Sequence, residues 1–139
     1  MRSYIPAHMK TYLRNSSKDK RSIDVTVEEL EKFLYLRSKY KNSFICVTPK
    51  VDKLWHKYIL QTREYHNLCS SLPGGDYIHH RTIKFNDYFK TKAEKAGFYK
   101  EQVKEVTNYL EEFDEFSEEA CMHWGLTKYL RENNIMSAK

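Results

Sequence analysis

Between Val51 and His80 the chain gathers most of the side chains that could do chemistry: Asp52, Trp55, His56, Thr62, Tyr65, His66, Cys69, His79 and His80. Four of its six histidines and one of its three cysteines fall in this stretch. Imidazole and thiolate are the usual ligands of zinc, and imidazole also exchanges protons near neutral pH. A zinc site needs at least three protein ligands converging tetrahedrally, which makes His56, Cys69, His79 and His80 the candidate set. His56 and His66 stand nearly three helical turns apart, too far for one ion to join them. Cys69 with His79 or His80, assisted by His66, is the more compact arrangement. Neither a C-x-x-C nor an H-E-x-x-H spacing is present. A hydrogen-bonded structural histidine cluster is therefore the preferred reading, and a metal centre, with zinc as the candidate ion, is the alternative.

Asp52 and His56 lie one helical turn apart, a spacing that lets a carboxylate orient an imidazole as a metal ligand or general base. The plainer reading is a buried pair tying its helix to a neighbour. Cys69 shares a helical face with Trp55 and Tyr65, which suits a packed thiol better than a nucleophile. Trp55, Tyr58 and Tyr65 could stack nucleic-acid bases, but their helical spacing suits a core. Gly74-Gly75 lacks the Lys-Ser/Thr that a phosphate-binding loop requires.

The elements that must position these residues read as helices throughout. Gly and Pro number only 4 and 3, too few for the many tight turns of a sandwich or barrel. A first helix is expected over 6–14, followed by a polar linker over 15–21. Thr26 and Glu29 have the form of a capping box opening a helix with Leu30, Phe33, Leu34 and Leu36 inward. Residues 44–47 form a short apolar connector or extended segment. Thr48 and Pro49 read as N-cap and first residue of a helix reaching Cys69, with Val51, Trp55, Tyr58, Thr62, Tyr65 and Cys69 on one face. After a loop over 70–76, a helix from about Asn86 to Ala96 should stop at Gly97. A further helix from Tyr99 to Phe113 should turn Val103, Val106, Tyr109 and Leu110 inward, and Ser117 should cap a last one containing Cys121, Trp124, Leu126 and Leu130. The expected fold is all-α, a single compact domain over 1–139 of five to six helices. Within it, 1–25 is the N-terminal helix and linker, 26–83 the core and 84–139 the C-terminal helices.

Laid in order, Val51-Asp52, Trp55-His56, Ile59-Leu60, Thr62, Tyr65, Cys69, Gly75 and His79-His80 follow the pattern VDxxWHxHILxTxxYxxxC…GxxxHH. The stretch from about 27 to 83 resembles the glycine-rich domain-containing protein-like family. The resemblance implies a helical fold and marks Asp52, Trp55, His56, Thr62, Tyr65, Cys69, His79 and His80 as the candidate site, without implying a reaction. Tyr58, Asn67 and Thr82 depart from the pattern, where a second His, an Asp and a Pro are usual.

Composition bounds the function. A hydrophobic fraction of 40% and an aromatic fraction of 14% belong to a folded body rather than a disordered one. The net charge of +5 arises from 24 Lys and Arg interspersed with 19 Asp and Glu, so only weak, salt-sensitive nucleic-acid binding is expected. The abundance of Lys and of 11 Tyr matches AT-rich codons, a large DNA virus being among the candidate sources. Three widely spaced cysteines suggest no disulfide framework, and no apolar run suits a signal peptide or membrane span. An intracellular, cytoplasmic protein follows. The expectation is a small helical interaction protein, a subunit or accessory factor of a larger assembly, and not an enzyme. A metal-dependent enzyme using the His/Cys set and a basic nucleic-acid-associated protein are the alternatives.

Overall fold

The protein was analysed as a computed structural model, which describes residues 2–41, 47–80 and 92–132. Among the described residues there are seven helices and no strand: α1 Ala7–Arg14, α2 Lys20–Lys39, α3 Pro49–Ile59, α4 Thr62–Ser71, α5 Lys92–Phe113, α6 Glu118–Cys121 and α7 Gly125–Glu132. They pack together as an all-α fold around α2, which touches α1, α3 and α6. The core joins Met9 and Leu13 of α1, the Ile23–Leu36 face of α2, Val51, Leu54, Trp55 and Tyr58 of α3, Tyr65, Leu68 and Cys69 of α4, and Tyr109 and Trp124. Phe33 stands edge-on to both tryptophans, with ring centroids 4.9 Å from Trp55 and 6.1 Å from Trp124.

Several element boundaries follow local chemistry. Pro49 opens α3, where a missing amide hydrogen costs nothing. The Ser117 hydroxyl accepts from the Ala120 amide and starts α6. α2 departs from expectation: its N-cap is Asp19, whose carboxylate accepts from the Ser22 amide at 3.1 Å. Thr26 and Glu29 are therefore interior helix residues, both buried, and they do not form a capping box.

The expected helix from Thr48 to Cys69 is two helices. At Gln61 the backbone leaves the helical region, and its amide takes a tight bond to the Tyr58 carbonyl. The last helix is likewise divided by a turn at Met122 and His123. With two expected helices joined across Gly97, these two breaks give seven helices among the described residues, of which α6 has only four residues. Gly97 lies inside α5 and ends nothing. The expected helix start at 86 lies outside the described residues, as do 44–46 and the start of the segment after His80. Val47 pairs with Trp124 in an isolated antiparallel bridge, and the Thr48 amide donates to the His123 carbonyl.

Val103 and Leu110 were expected inside but are 56% and 44% exposed. The inward side of α5 instead carries Gln102, Glu105 and Tyr109.

Candidate functional site

α3 and α4 hold one wall of the site, and the segment running from Leu72 to His80 is laid across it. The Trp55 ring N–H donates to the Tyr65 hydroxyl at 2.9 Å, and that hydroxyl donates to the Ile78 carbonyl at 2.6 Å. Burial drives the Tyr65 hydroxyl far above its usual range, so it stays a donor. Cys69 is buried beside the same hydroxyl and the Ile78 amide, and desolvation raises its thiol. A protonated, enclosed thiol is a poor nucleophile and a poor metal ligand.

His80 follows this buried run. Its Nε2 lies 2.8 Å from Asp52 Oδ1, and its ring stands edge-on to Trp55 at 4.5 Å. Asp52 thus pairs with a residue 28 positions away, not with His56 on its own helix. His56 is exposed, its ring centroid 5.7 Å from that of His80. His79 points the other way along the segment and meets Tyr77 at 4.9 Å. Thr62 is exposed at the first turn of α4, and His66 is exposed on its outer face.

The eight motif residues are thus divided. Asp52, Trp55, Tyr65, Cys69 and His80 come together around the docked segment, whereas His56, Thr62 and His79 stay at the surface. Among the described residues no group of three His, Cys, Asp or Glu side chains is placed to hold a metal ion. His56, Cys69, His79 and His80 do not form one ligand set.

Gly74 explains how the segment begins. A Cβ there would stand 2.2 Å from the Ser38 carbonyl oxygen, and the Gly74 amide donates to Ser38 Oγ at 2.8 Å. Only glycine approaches the end of α2 this closely.

A second polar centre lies at the heart of the fold, where the sequence reading had placed a helix cap. Glu29 is 1% exposed, and its Oε1 accepts from the Tyr109 hydroxyl at 2.7 Å and from the Trp124 ring N–H at 3.0 Å. Lys32 Nζ lies 3.1 Å from the other oxygen and donates to the Tyr109 hydroxyl. Beside it, His123 Nδ1 stands 2.8 Å from the Glu119 carbonyl, which can only accept, so Nδ1 carries the proton. Nε2 then accepts from the Thr26 hydroxyl at 2.9 Å. Burial holds His123 below its ordinary value of 6.5, with Lys50 adding to the effect. A carboxylate at position 29, inside the apolar stripe of Leu30 and Phe33, was the sequence signal for this centre.

The family comparison adds one finding. A family model described as UCP032817-like matches residues 3–98, more than half of the chain. The chain belongs to the UCP032817-like family. This corrects the resemblance to glycine-rich domain-containing proteins, which rested on a motif confined to residues 27–83. The UCP032817-like match takes in α1, all of α2 and the first part of α5 as well. Its description names no reaction, ligand or partner. No curated protein and no solved structure matches the chain. No described helix is long and apolar enough to cross a membrane.

Proposed function

We propose that this UCP032817-like protein is a helical interaction protein, a subunit or accessory factor of a larger assembly rather than an enzyme. The observation that carries the reading is the outward face of α5. Val103 and Leu110, two turns apart, are both exposed, while the same helix buries Gln102, Glu105 and Tyr109. Among exposed Lys104, Thr107 and Glu111, the helix leaves these two apolar side chains uncovered, while its buried side is spent on polar groups within the domain. The use of the reactive side chains supports the same reading. Asp52, Trp55, Tyr65, Cys69 and His80 are engaged in docking the 72–80 segment, and Glu29 and His123 in joining α2 to the C-terminal elements.

The test is the double substitution Val103→Glu and Leu110→Glu in the full chain. The variant should keep the parent's circular dichroism and unfolding midpoint, because neither side chain is in the core. Isolated from its native setting by size-exclusion chromatography with light scattering, the parent should run in an assembly and the variant alone. Co-elution of both with the same assembly would reject the proposal. So would a variant that unfolds, since these residues would then be core.

A further inference from the structure

We infer that the exposed face of α5 pairs with the same face of a second copy of this chain, antiparallel, across a two-fold axis near Thr107. The inference rests on the interaction reading above and names its partner. Val103, Val106 and Leu110 stand at i, i+3 and i+7, the spacing of a seam between paired helices. Val106 is half-buried and the other two are exposed. At about 100° per residue, Lys100, Lys104 and Glu111 share the adjoining flank, with Thr107 between the two stripes. All four of these are exposed.

The charged flank is sorted by sign along the helix. Lys100 and Lys104 stand on its N-terminal side of Thr107, Glu111 on its C-terminal side, and exposed Asp114 directly follows the helix end. Among the described residues none of these four is in an ion pair. Nor can they neutralise one another within one helix, because Lys104 and Glu111 are two turns apart, about 10 Å along the axis. Their charges are complementary only to a helix with the opposite order of signs.

Symmetry supplies that helix. A two-fold axis parallel to α5 would set the apolar stripe of one copy against the charged flank of the other, with all lysines at one end. An axis perpendicular to it keeps apolar on apolar and charged on charged while reversing the direction. Lys104 of each copy then meets Glu111 of the other, Lys100 meets Asp114, and Val103 meets Leu110. All three pairings are centred within one residue of Thr107, so a single axis serves them together. The contact is about 20 Å long, which places the dimer at the small, weak end of specific interfaces. Each copy also carries a net charge of +5, and added salt screens that general repulsion along with the specific pairs. The charge pattern, not the salt dependence, is therefore the discriminating variable.

Sedimentation velocity of the purified full chain over a concentration series, under reducing conditions, tests the pairing. The parent should show a monomer–dimer equilibrium. Lys100→Glu/Lys104→Glu and Glu111→Lys/Asp114→Lys should each dimerise about tenfold or more weakly, since four exposed attractive pairs become repulsive. An equal mixture of these two variants should dimerise at least as tightly as the parent. The variant with all four reversals should pair with itself as the parent does, and Val103→Glu/Leu110→Glu should be monomeric with unchanged circular dichroism. A parent that stays monomeric, a mixture that is not restored, or a dimer that survives Val103→Glu/Leu110→Glu would overturn the inference. So would a four-reversal variant that prefers the parent to itself, which is the mark of parallel helices. A pure parent that is monomeric, yet held in a native assembly that Val103→Glu/Leu110→Glu disrupts, would overturn self-pairing alone and leave the interaction reading in place.

Discussion

Replacing Glu29 by Ala should destabilise the protein by about 3–5 kcal/mol, the range for removing one partner from a buried charged network. The figure follows from what the carboxylate holds. It leaves two buried donors without an acceptor, the Tyr109 hydroxyl and the Trp124 ring N–H, each worth about 1–3 kcal/mol when orphaned. Lys32 is less affected, because Glu28 at 3.4 Å and the Tyr109 hydroxyl remain to it. Glu29→Gln separates geometry from charge. Its amide oxygen can still accept from Tyr109 and Trp124, and only the ion pair with Lys32 is lost, so about 1–2 kcal/mol is expected. Urea unfolding followed by tryptophan fluorescence suits the measurement, since Trp124 reports the site directly. Two results would refute the reasoning: an alanine variant within about 1 kcal/mol of the parent, or a glutamine variant as damaged as the alanine one.

Three further outcomes are expected. Tyr58 is fully buried and its hydroxyl has no hydrogen-bond partner among the described residues, so Tyr58→Phe should leave stability unchanged or raise it by about 1 kcal/mol; a clear loss in the same urea assay would show a bonded hydroxyl. Gly74→Ala should cost about 1–3 kcal/mol because its methyl meets the Ser38 carbonyl, and an unchanged unfolding midpoint would contradict the close approach. Burial lowers the His123 value in the folded state, so the unfolded chain takes up the proton first as pH falls. The stability due to neutral His123 is thus complete above 6.5 and declines below it until the lowered folded-state value is passed, with a slope of at most about 1.4 kcal/mol per pH unit. The difference in slope between parent and His123→Gln checks this, and identical slopes would refute it.

What could be read from the sequence was local. The first helix, the Pro49 start of α3, the Ser117 cap and the all-α class follow from signals within a few residues of each other. Thr26 and Glu29 misled for the same reason. A threonine three residues before a glutamate suits a cap, but inside a helix the same spacing puts both side chains on one face. There they meet His123 and Trp124, more than 90 residues away. Asp52 chose His80 over His56 because the 72–80 segment comes back across α3, which no periodicity encodes. The break at Gln61 carries neither Gly nor Pro, so no breaker announced it. On α5, Val103, Val106, Tyr109 and Leu110 were expected to turn inward together, but Tyr109 is buried while Val103 and Leu110 are exposed, because periodicity gives the spacing of a face and not what covers it.

α1, α3, α4 and α7 have 8 to 11 residues each, too short to be stable alone in water. Apolar packing gathers such helices but tolerates sliding and rotation. The long-range polar contacts do not. Glu29 is satisfied only when α2, α5 and the α6–α7 turn stand in one relative placement, and Tyr65 only when Ile78 lies across α4. Glu31 does the same for the N-terminal segment, and Gly74 for the end of α2. Tyr65, Glu29, Glu31 and Gly74 therefore help to set the register of the bundle, whereas His56, Thr62 and His79 stay at its surface. Under the proposed function, recognition would fall to groups the fold does not need, such as the exposed Val103 and Leu110 of α5.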